Sequence, residues 1–225
     1  MKKIILRTLG ALVLIVVFLF VYLIVFEKRG KQVSEGQPIE KYPMQRSALM
    51  VIAIQESTTG AVSQYENLAK VSDGLIRTIN SVIDQAVRDN MPVIYIRSEI
   101  TDPIINLINN SMEKGSVGAA LDKRLKILSG PVFGKEKEDA FSNPELDRFL
   151  MQERINRLVI VGLDAAYCVN STIKAAQNRG YEVTVMTDAV ISSEEELRNQ
   201  MFKEFADRQV KFMRSDEFIR NETVN

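Results

Sequence analysis

The chain's single cysteine, Cys168, and the residues before it form the stretch best suited to covalent chemistry. Residues 158–161 are an unbroken apolar run, too short for a helix and rich in β-branched side chains, so they read as a strand buried on both faces. Gly162 ends it. Beyond a short turn the period becomes helical, with Val169, Ile173 and Ala176 on one face, which places Cys168 at or near a helix N-terminus. Unpaired N–H groups and the positive end of the helix dipole favour negative charge there and can hold an oxyanion. A sulfur at such a position is suited to act as a nucleophile. With one cysteine and no histidine in the chain, an internal disulfide, His-ligated zinc and Ser-His or Cys-His catalysis are all excluded. Proton transfer falls to a carboxylate, a lysine, a tyrosine or the thiol.

Further strands must bring partners to this cysteine. Residues 48–54 are a second continuous apolar run, followed at once by the polar stretch 55–60, and read as a buried strand opening onto a loop. Leu68, Val71, Leu75, Ile79, Ile83 and Ala86 recur at spacings of three and four, an amphipathic helix over about 65–89. Residues 92–96 are a third strand with Arg97, Ser98 and Glu99 at its end, and residues 131–133 a short one leading to Lys135. Between them, residues 102–130 mix Asn, Ser and Gly with apolar patches and read as an excursion over the site. Asn143 before Pro144 is a cap and first-turn pair that opens a helix. Residues 182–186 read as a strand, Ser192 or Ser193 as the cap of a helix over 194–206, and residues 209–213 as a last strand.

Strands alternating with helices predict an α/β fold: three layers, Rossmann-like, with a mostly parallel sheet of about six strands flanked by helices. Ligands of such sheets sit outside the carboxyl ends of the strands. That rule selects residues 53–56, 97–99, Lys135 and 164–168. No strand is followed by a Gly-rich phosphate loop, so a dinucleotide site is unsupported.

The N-terminus is a separate part. Residues 9–26 carry no charge and are flanked by Lys2, Lys3 and Arg7 on one side and Lys28, Arg29 and Lys31 on the other. Such a run spans a bilayer, with residues 4–6 adding length while Arg7 snorkels. A cleaved signal has a shorter apolar region ending in small residues, whereas this one ends Leu-Ile-Val-Phe-Glu-Lys-Arg. Residues 1–31 are therefore expected to be an uncleaved single-pass anchor, a transmembrane helix in contact with the membrane through residues 4–26. Three Lys or Arg on each side give the positive-inside rule no preference; the working expectation is a short inner tail and an extracytoplasmic domain. Residues 32–46, with Gly36, Pro38 and Pro43 and no apolar period, read as a linker. Residues 47–225 read as one domain, since 225 residues at 46% hydrophobic content can bury one substantial core. The net charge is zero, but residues 1–31 hold six basic and one acidic residue, which leaves the remainder at −5. A mildly acidic domain is a poor nucleic-acid binder, and the basic residues lie where anionic headgroups would be.

Several pieces occur together in one order: Ala-Leu-Met-Val-Ile-Ala-Ile-Gln at 48–55, Pro-Val-Ile-Tyr-Ile-Arg at 92–97, Lys135 six residues before Phe141, Gly162 six residues before Cys168-Val169, then Ser171-Thr172 and Arg179-Gly180-Tyr181. Together they resemble the isochorismatase-like cysteine hydrolases, which include nicotinamidases and N-carbamoyl amide hydrolases, over residues 47–213. The resemblance implies an Asp, Lys and Cys triad. In it a thiolate attacks an amide or similar carbonyl, the Asp acts as base and then acid, and the Lys stabilises charge. Cys168 and Lys135 fall on the nucleophile and the lysine. The aspartate position, in the pattern Val-Ile-Asp-x-Gln, holds Ala53, with Gln55 two residues on. The resemblance further implies a cis peptide between Asp164 and Ala165, with Asp164, Ala165 and Gln55 lining the oxyanion and substrate region. Ser98 stands where many members have a histidine, and the histidines that bind metal in the nicotinamidase branch are missing.

The implied ligand is a small amide-like molecule, with no cofactor and no metal. General acid–base groups contribute typically about 10² to 10⁴ in rate, so Cys-dependent hydrolysis of a carbon–nitrogen bond is expected to be impaired with Ala53 in place. The alternative expectation is a catalytically inactive pseudoenzyme that binds a small molecule or a partner, a homo-oligomer being one candidate assembly.

Overall fold

Two of the apolar runs, Ser47–Ile52 (β1) and Arg157–Gly162 (β4), pair in parallel at the centre of the sheet in the computed structural model, which describes residues 2–40, 42–63, 65–128 and 130–220. Val93–Ser98 (β2) and Val132–Lys135 (β3) extend the sheet on one side, and Glu182–Val190 (β5) and Lys211–Met213 (β6) on the other. The order is β3-β2-β1-β4-β5-β6, and every pairing is parallel.

The two-residue period of a strand sends alternate side chains to opposite faces. Leu49 and Val51 pack with Leu75, Ile79 and Ile83 of α2 (Glu66–Arg88) and with Phe218 of α7 (Ser215–Arg220). Met50 and Ile52 pack with Leu146 and Leu150 of α4 (Pro144–Gln152), Ile173 of α5 (Asn170–Asn178) and Phe205 of α6 (Glu195–Asp207). The result is the three-layer α/β architecture, with a core on each face of the sheet.

The elements depart from expectation where side chains find non-local partners. β1 stops at Ile52, two residues early, because Ala53 turns to φ +53°. β5 runs on to Val190, where a register shift lets Val190 pair with Gly162. Neither Ser192 nor Ser193 caps α6; the cap position is Glu194, without a side-chain bond, and the Ser192 hydroxyl donates to Asp164 instead. The 102–130 excursion holds one short helix, α3 (Pro103–Ile108), whose cap Asp102 accepts from Ile104 N and Ile105 N. Asp102-Pro103 is the same cap and first-turn signal as Asn143-Pro144.

The N-terminal helix α1 (Lys2–Gly30) is long and apolar enough to cross a membrane, and its large side chains, Leu14 and Phe20 among them, lie exposed. Its last turns approach the domain: the Tyr22 hydroxyl donates to the Asp102 carboxylate, and Glu138 N donates to Gly30 O at 3.0 Å. The segment that follows lies along the domain, with Val33 and Ile39 packed against the core. Arg179 donates to Ser34 O and Glu35 O, and Ile39 N to Arg179 O.

Asp139 joins this segment to the domain, accepting from Ser34 N at 2.8 Å and Phe141 N at 2.7 Å. Burial pushes its carboxyl above the ordinary carboxylate range, against those hydrogen bonds and the Arg179 charge. A folded-state pKa raised above the unfolded one gives a contribution that is full below the unfolded value and is lost as pH rises through the folded one. Asp139→Asn keeps an acceptor oxygen and cannot ionise. Its thermal midpoint should therefore improve relative to the parent as pH rises from about 4 to about 7; a constant difference across that range would contradict this assignment.

Candidate functional site

Strand order reverses between β1 and β4, and a crevice outside the carboxyl ends at such a switch point is where open α/β sheets bind ligands. Ala53 follows β1, Ser98 ends β2, Lys135 ends β3, and the segment carrying Cys168 follows β4. Gly162 permits that segment's exit. It sits at φ +120°, and a Cβ there would lie 2.1 Å from Ile52 O. Residues Ala165–Val169 then form one wide π-type turn, with Val169 N donating to Asp164 O at 3.0 Å, before α5 begins. Cys168 therefore lies in the first helical turn after β4, half-buried, with Val169 buried beneath it.

Lys135 and Cys168 meet. Lys135 is only 3% exposed, and its Nζ donates to Cys168 Sγ at 3.0 Å, to Ser98 Oγ at 3.0 Å and to Lys137 O at 2.9 Å. Three donors and three acceptors saturate the ammonium and fix it against the sulfur. The chain after β3 is itself tied to α5, through Ala140 N to Thr172 Oγ1 at 3.1 Å and the Ser171 hydroxyl to Glu138 at 2.9 Å. These ties bring the ends of β3 and β4, separated by two strands in the sheet, to one site.

Ala53 lines the same cavity, buried, with its N–H on Ile96 O and its carbonyl accepting from Thr58 Oγ1. Its φ of +53° is the left-handed region. A Cβ costs roughly 1–2 kcal/mol there, and Asp and Asn are the non-glycine residues that adopt it most readily. The backbone at 53 therefore suits an aspartate better than the alanine it carries.

Of the other expected residues, Asp164 lines the cavity, whereas Ala165 and Gln55 are not among its lining residues. Asp164 borders the cavity, but its carboxylate accepts from Ala166 N and Ser193 N, each at 2.9 Å, and from the Ser192 hydroxyl, so it caps the helical turn. Ala165 is fully buried, and its N–H is spent on Ile191 O. Gln55 is fully buried as well. Its amide donates to Ser98 O and Ala119 O and accepts from Ser98 N, which locks the end of β2 and the 102–130 excursion to the loop after β1. The cis peptide joins Leu163 and Asp164, one residue earlier than the resemblance implied. Glu56 accepts from Ala61 N and Lys123 N, and Glu99 pairs with Arg97 at 2.6 Å; both are structural carboxylates outside the cavity lining.

The cavity over Cys168 has a volume of about 320 Å³ and is lined also by Thr58, Tyr65, Leu68, Met112, Leu163, Tyr167 and Ser193. Tyr167 falls within the 164–168 stretch that the sequence pointed to; the others do not. Leu68 carries only the signal of a core position on α2, and Met112 sits in the excursion, where no period points to it. The cavity can hold a small, largely apolar molecule against a sulfur that is itself contacted, from outside the cavity lining, by a buried ammonium. Among the described residues no three His, Cys, Asp or Glu side chains gather into a metal-binding group, and the donor set does not fit a histidine-bound metal.

Comparison with known proteins matches residues 47–217 to the isochorismatase domain family. An isochorismatase family protein of Bacillus subtilis (strain 168), YaaI, is 24% identical over 133 residues, covering 58% of this chain and 74% of its own. Among solved structures, N-carbamoylsarcosine amidase from Thermoplasma acidophilum is 26% identical, with a TM-score of 0.63, covering 77% of this chain and 98% of its own. An isochorismatase-like hydrolase from Alkaliphilus metalliredigens shares the fold with a TM-score of 0.68 at 20% identity, covering 78% of this chain and 98% of its own.

Proposed function

The chain belongs to the isochorismatase family, and on that premise we propose that its hydrolase domain is held at a membrane by α1 and binds a small amide at Cys168, with turnover impaired by Ala53. The observation that carries the reading is the 3.0 Å contact between Lys135 Nζ and Cys168 Sγ at the edge of a cavity that Ala53 also lines. In the family chemistry the sulfur adds to the carbonyl carbon, the C–N bond breaks and the amine leaves with a proton; water then cleaves the thioester. With a methyl group at 53, the leaving nitrogen lacks its proton donor and the water lacks its base. Addition is still open to this site, while both later steps are slowed.

One observation favours a binding role outright. Among the described residues Asp164 is the one carboxylate that lines the cavity, and both its oxygens are already engaged. Small amides and carbamoyl compounds should therefore stabilise the domain in a thermal-shift assay, by about 2.7 kcal/mol at a hundredfold excess over Kd, without ammonia release. Steady multiple-turnover ammonia release by the purified chain would remove the impairment from the reading.

The membrane part has its own test. The full chain should stay with membranes through a carbonate wash, while a chain shortened to begin at Val33 should be soluble. Recovery of the intact chain in the soluble fraction would end the anchor reading. The expectation of an extracytoplasmic domain is open to protease protection of intact cells.

A further inference from the structure

The end of the anchor and the reactive pair share one short segment. Gly30 O accepts from Glu138 N, and the neighbouring Lys137 O accepts from Lys135 Nζ. Two turns earlier on α1, the Tyr22 hydroxyl donates to Asp102, the cap of α3. The membrane segment, residues 4–26, ends four residues beyond Tyr22, so Tyr22 lies about 6 Å, one helical turn, inside its domain-side end and close to the interface, where aromatic residues concentrate. Asp102 is then close to the same depth, and α3, the helix it caps, ends in Leu107 and Ile108, 87% and 58% exposed. Four residues beyond Ile108, Met112 lines the cavity over Cys168.

Among the described residues, the cavity lining, which includes Tyr65, Leu68, Met112, Leu163 and Tyr167, holds no lysine or arginine. Asp164 is fully engaged, and Lys135 is saturated by its three acceptors. A charged ligand would bury an unpaired charge there, which is costly. We propose that the mouth of the cavity rests on the bilayer surface and that its ligand is a neutral carbonyl compound with an apolar chain, taken up from the interface. The inference rests on the reading above of α1 as an anchor and of Cys168 as the group that meets a carbonyl.

The chain has no tryptophan and one cysteine, so single reporters are available in the full-length protein. In vesicles of brominated phosphatidylcholine, Leu107→Trp should lose most of its emission. Met44→Trp, at a position 79% exposed and just ahead of the opposite, amino end of β1, should keep it. In ordinary phosphatidylcholine vesicles, N-dodecyl-2-chloroacetamide should alkylate Cys168 roughly tenfold faster or more than 2-chloroacetamide, as burial of an apolar chain would give. A Leu107→Ser, Ile108→Ser double variant should lose that preference while reacting with the short probe at the parent rate. Full emission from Leu107→Trp overturns the surface placement. Equal rates for the two probes, or a preference that survives the double variant, overturn the ligand class. Failure of both probes to label Cys168 removes the reading on which the ligand class stands, and the ligand class with it, while the quenching result still decides the placement.

Discussion

Replacing Ala53 by aspartate is expected to raise amide hydrolysis by about 10² to 10⁴ over the parent, the range that a positioned general acid–base contributes. The substitution suits the backbone, since aspartate enters the left-handed region more readily than alanine and Ala53 already sits at φ +53°. It also places a carboxyl on a cavity that holds Cys168 and Ser98, with the Lys135 ammonium on the far side of both. Alkylation of Cys168 by a haloacetamide needs neither protonation of a leaving nitrogen nor activation of water, so the same variant should change labelling far less than turnover. Ammonia release and mass spectrometry of the labelled chain measure the two separately. If Ala53→Asp leaves hydrolysis undetectable across a broad amide panel, the site is not a hydrolase lacking one group, and a binding function replaces that account.

Arg179→Ala is expected to be the most damaging single change away from the site. The guanidinium is 2% exposed; it pairs with both carboxylate oxygens of Asp147, at 2.8 and 3.0 Å, and donates to Ala175 O, Ser34 O and Glu35 O. It also lies 4.6 Å over the Phe141 ring. Gly36 lets the chain pass this closely, since a Cβ there would come within 2.3 Å of the Arg179 Nε. Truncation strands Asp147 and three carbonyls. Breaking a buried pair costs about 3–5 kcal/mol, and because Asp147 is 31% exposed, water compensates part of it, leaving about 3 kcal/mol. For a chain of this size that corresponds to a thermal midpoint lower by about 6–12 °C. Arg179→Lys should recover little, because a point charge cannot bridge Asp147 and the Ser34–Glu35 carbonyls together. Residues 31–40 should also become faster targets for proteolysis in both variants; a midpoint unchanged in Arg179→Ala would show that the network contributes nothing.

Local physics made much of this protein legible from its sequence. Apolar runs of strand length buried on both faces, at β1 and β4, follow from the composition of those stretches alone, as does the 3.6-residue stripe of α2. The cap pair Asn143-Pro144 announced α4, and the change of period after Gly162 set Cys168 at the start of a helix. The uncharged run that forms α1 was readable by length and charge. Each of these depends on neighbours within about one or two helical turns or strand steps. The contacts that make the site do not. Lys135 meets Cys168 because the strand order sets β3 and β4 on either side of β2 and β1 and because Thr172 and Ser171 bind the chain between them, and no local pattern encodes that order. Ser192 was drawn from a helix cap to Asp164, Ala53 into the left-handed region and the 32–40 segment against Arg179 by partners tens of residues away. A hydroxyl, a turn or a glycine carries the same local signal whichever partner it finds, so only the tertiary arrangement decides among them.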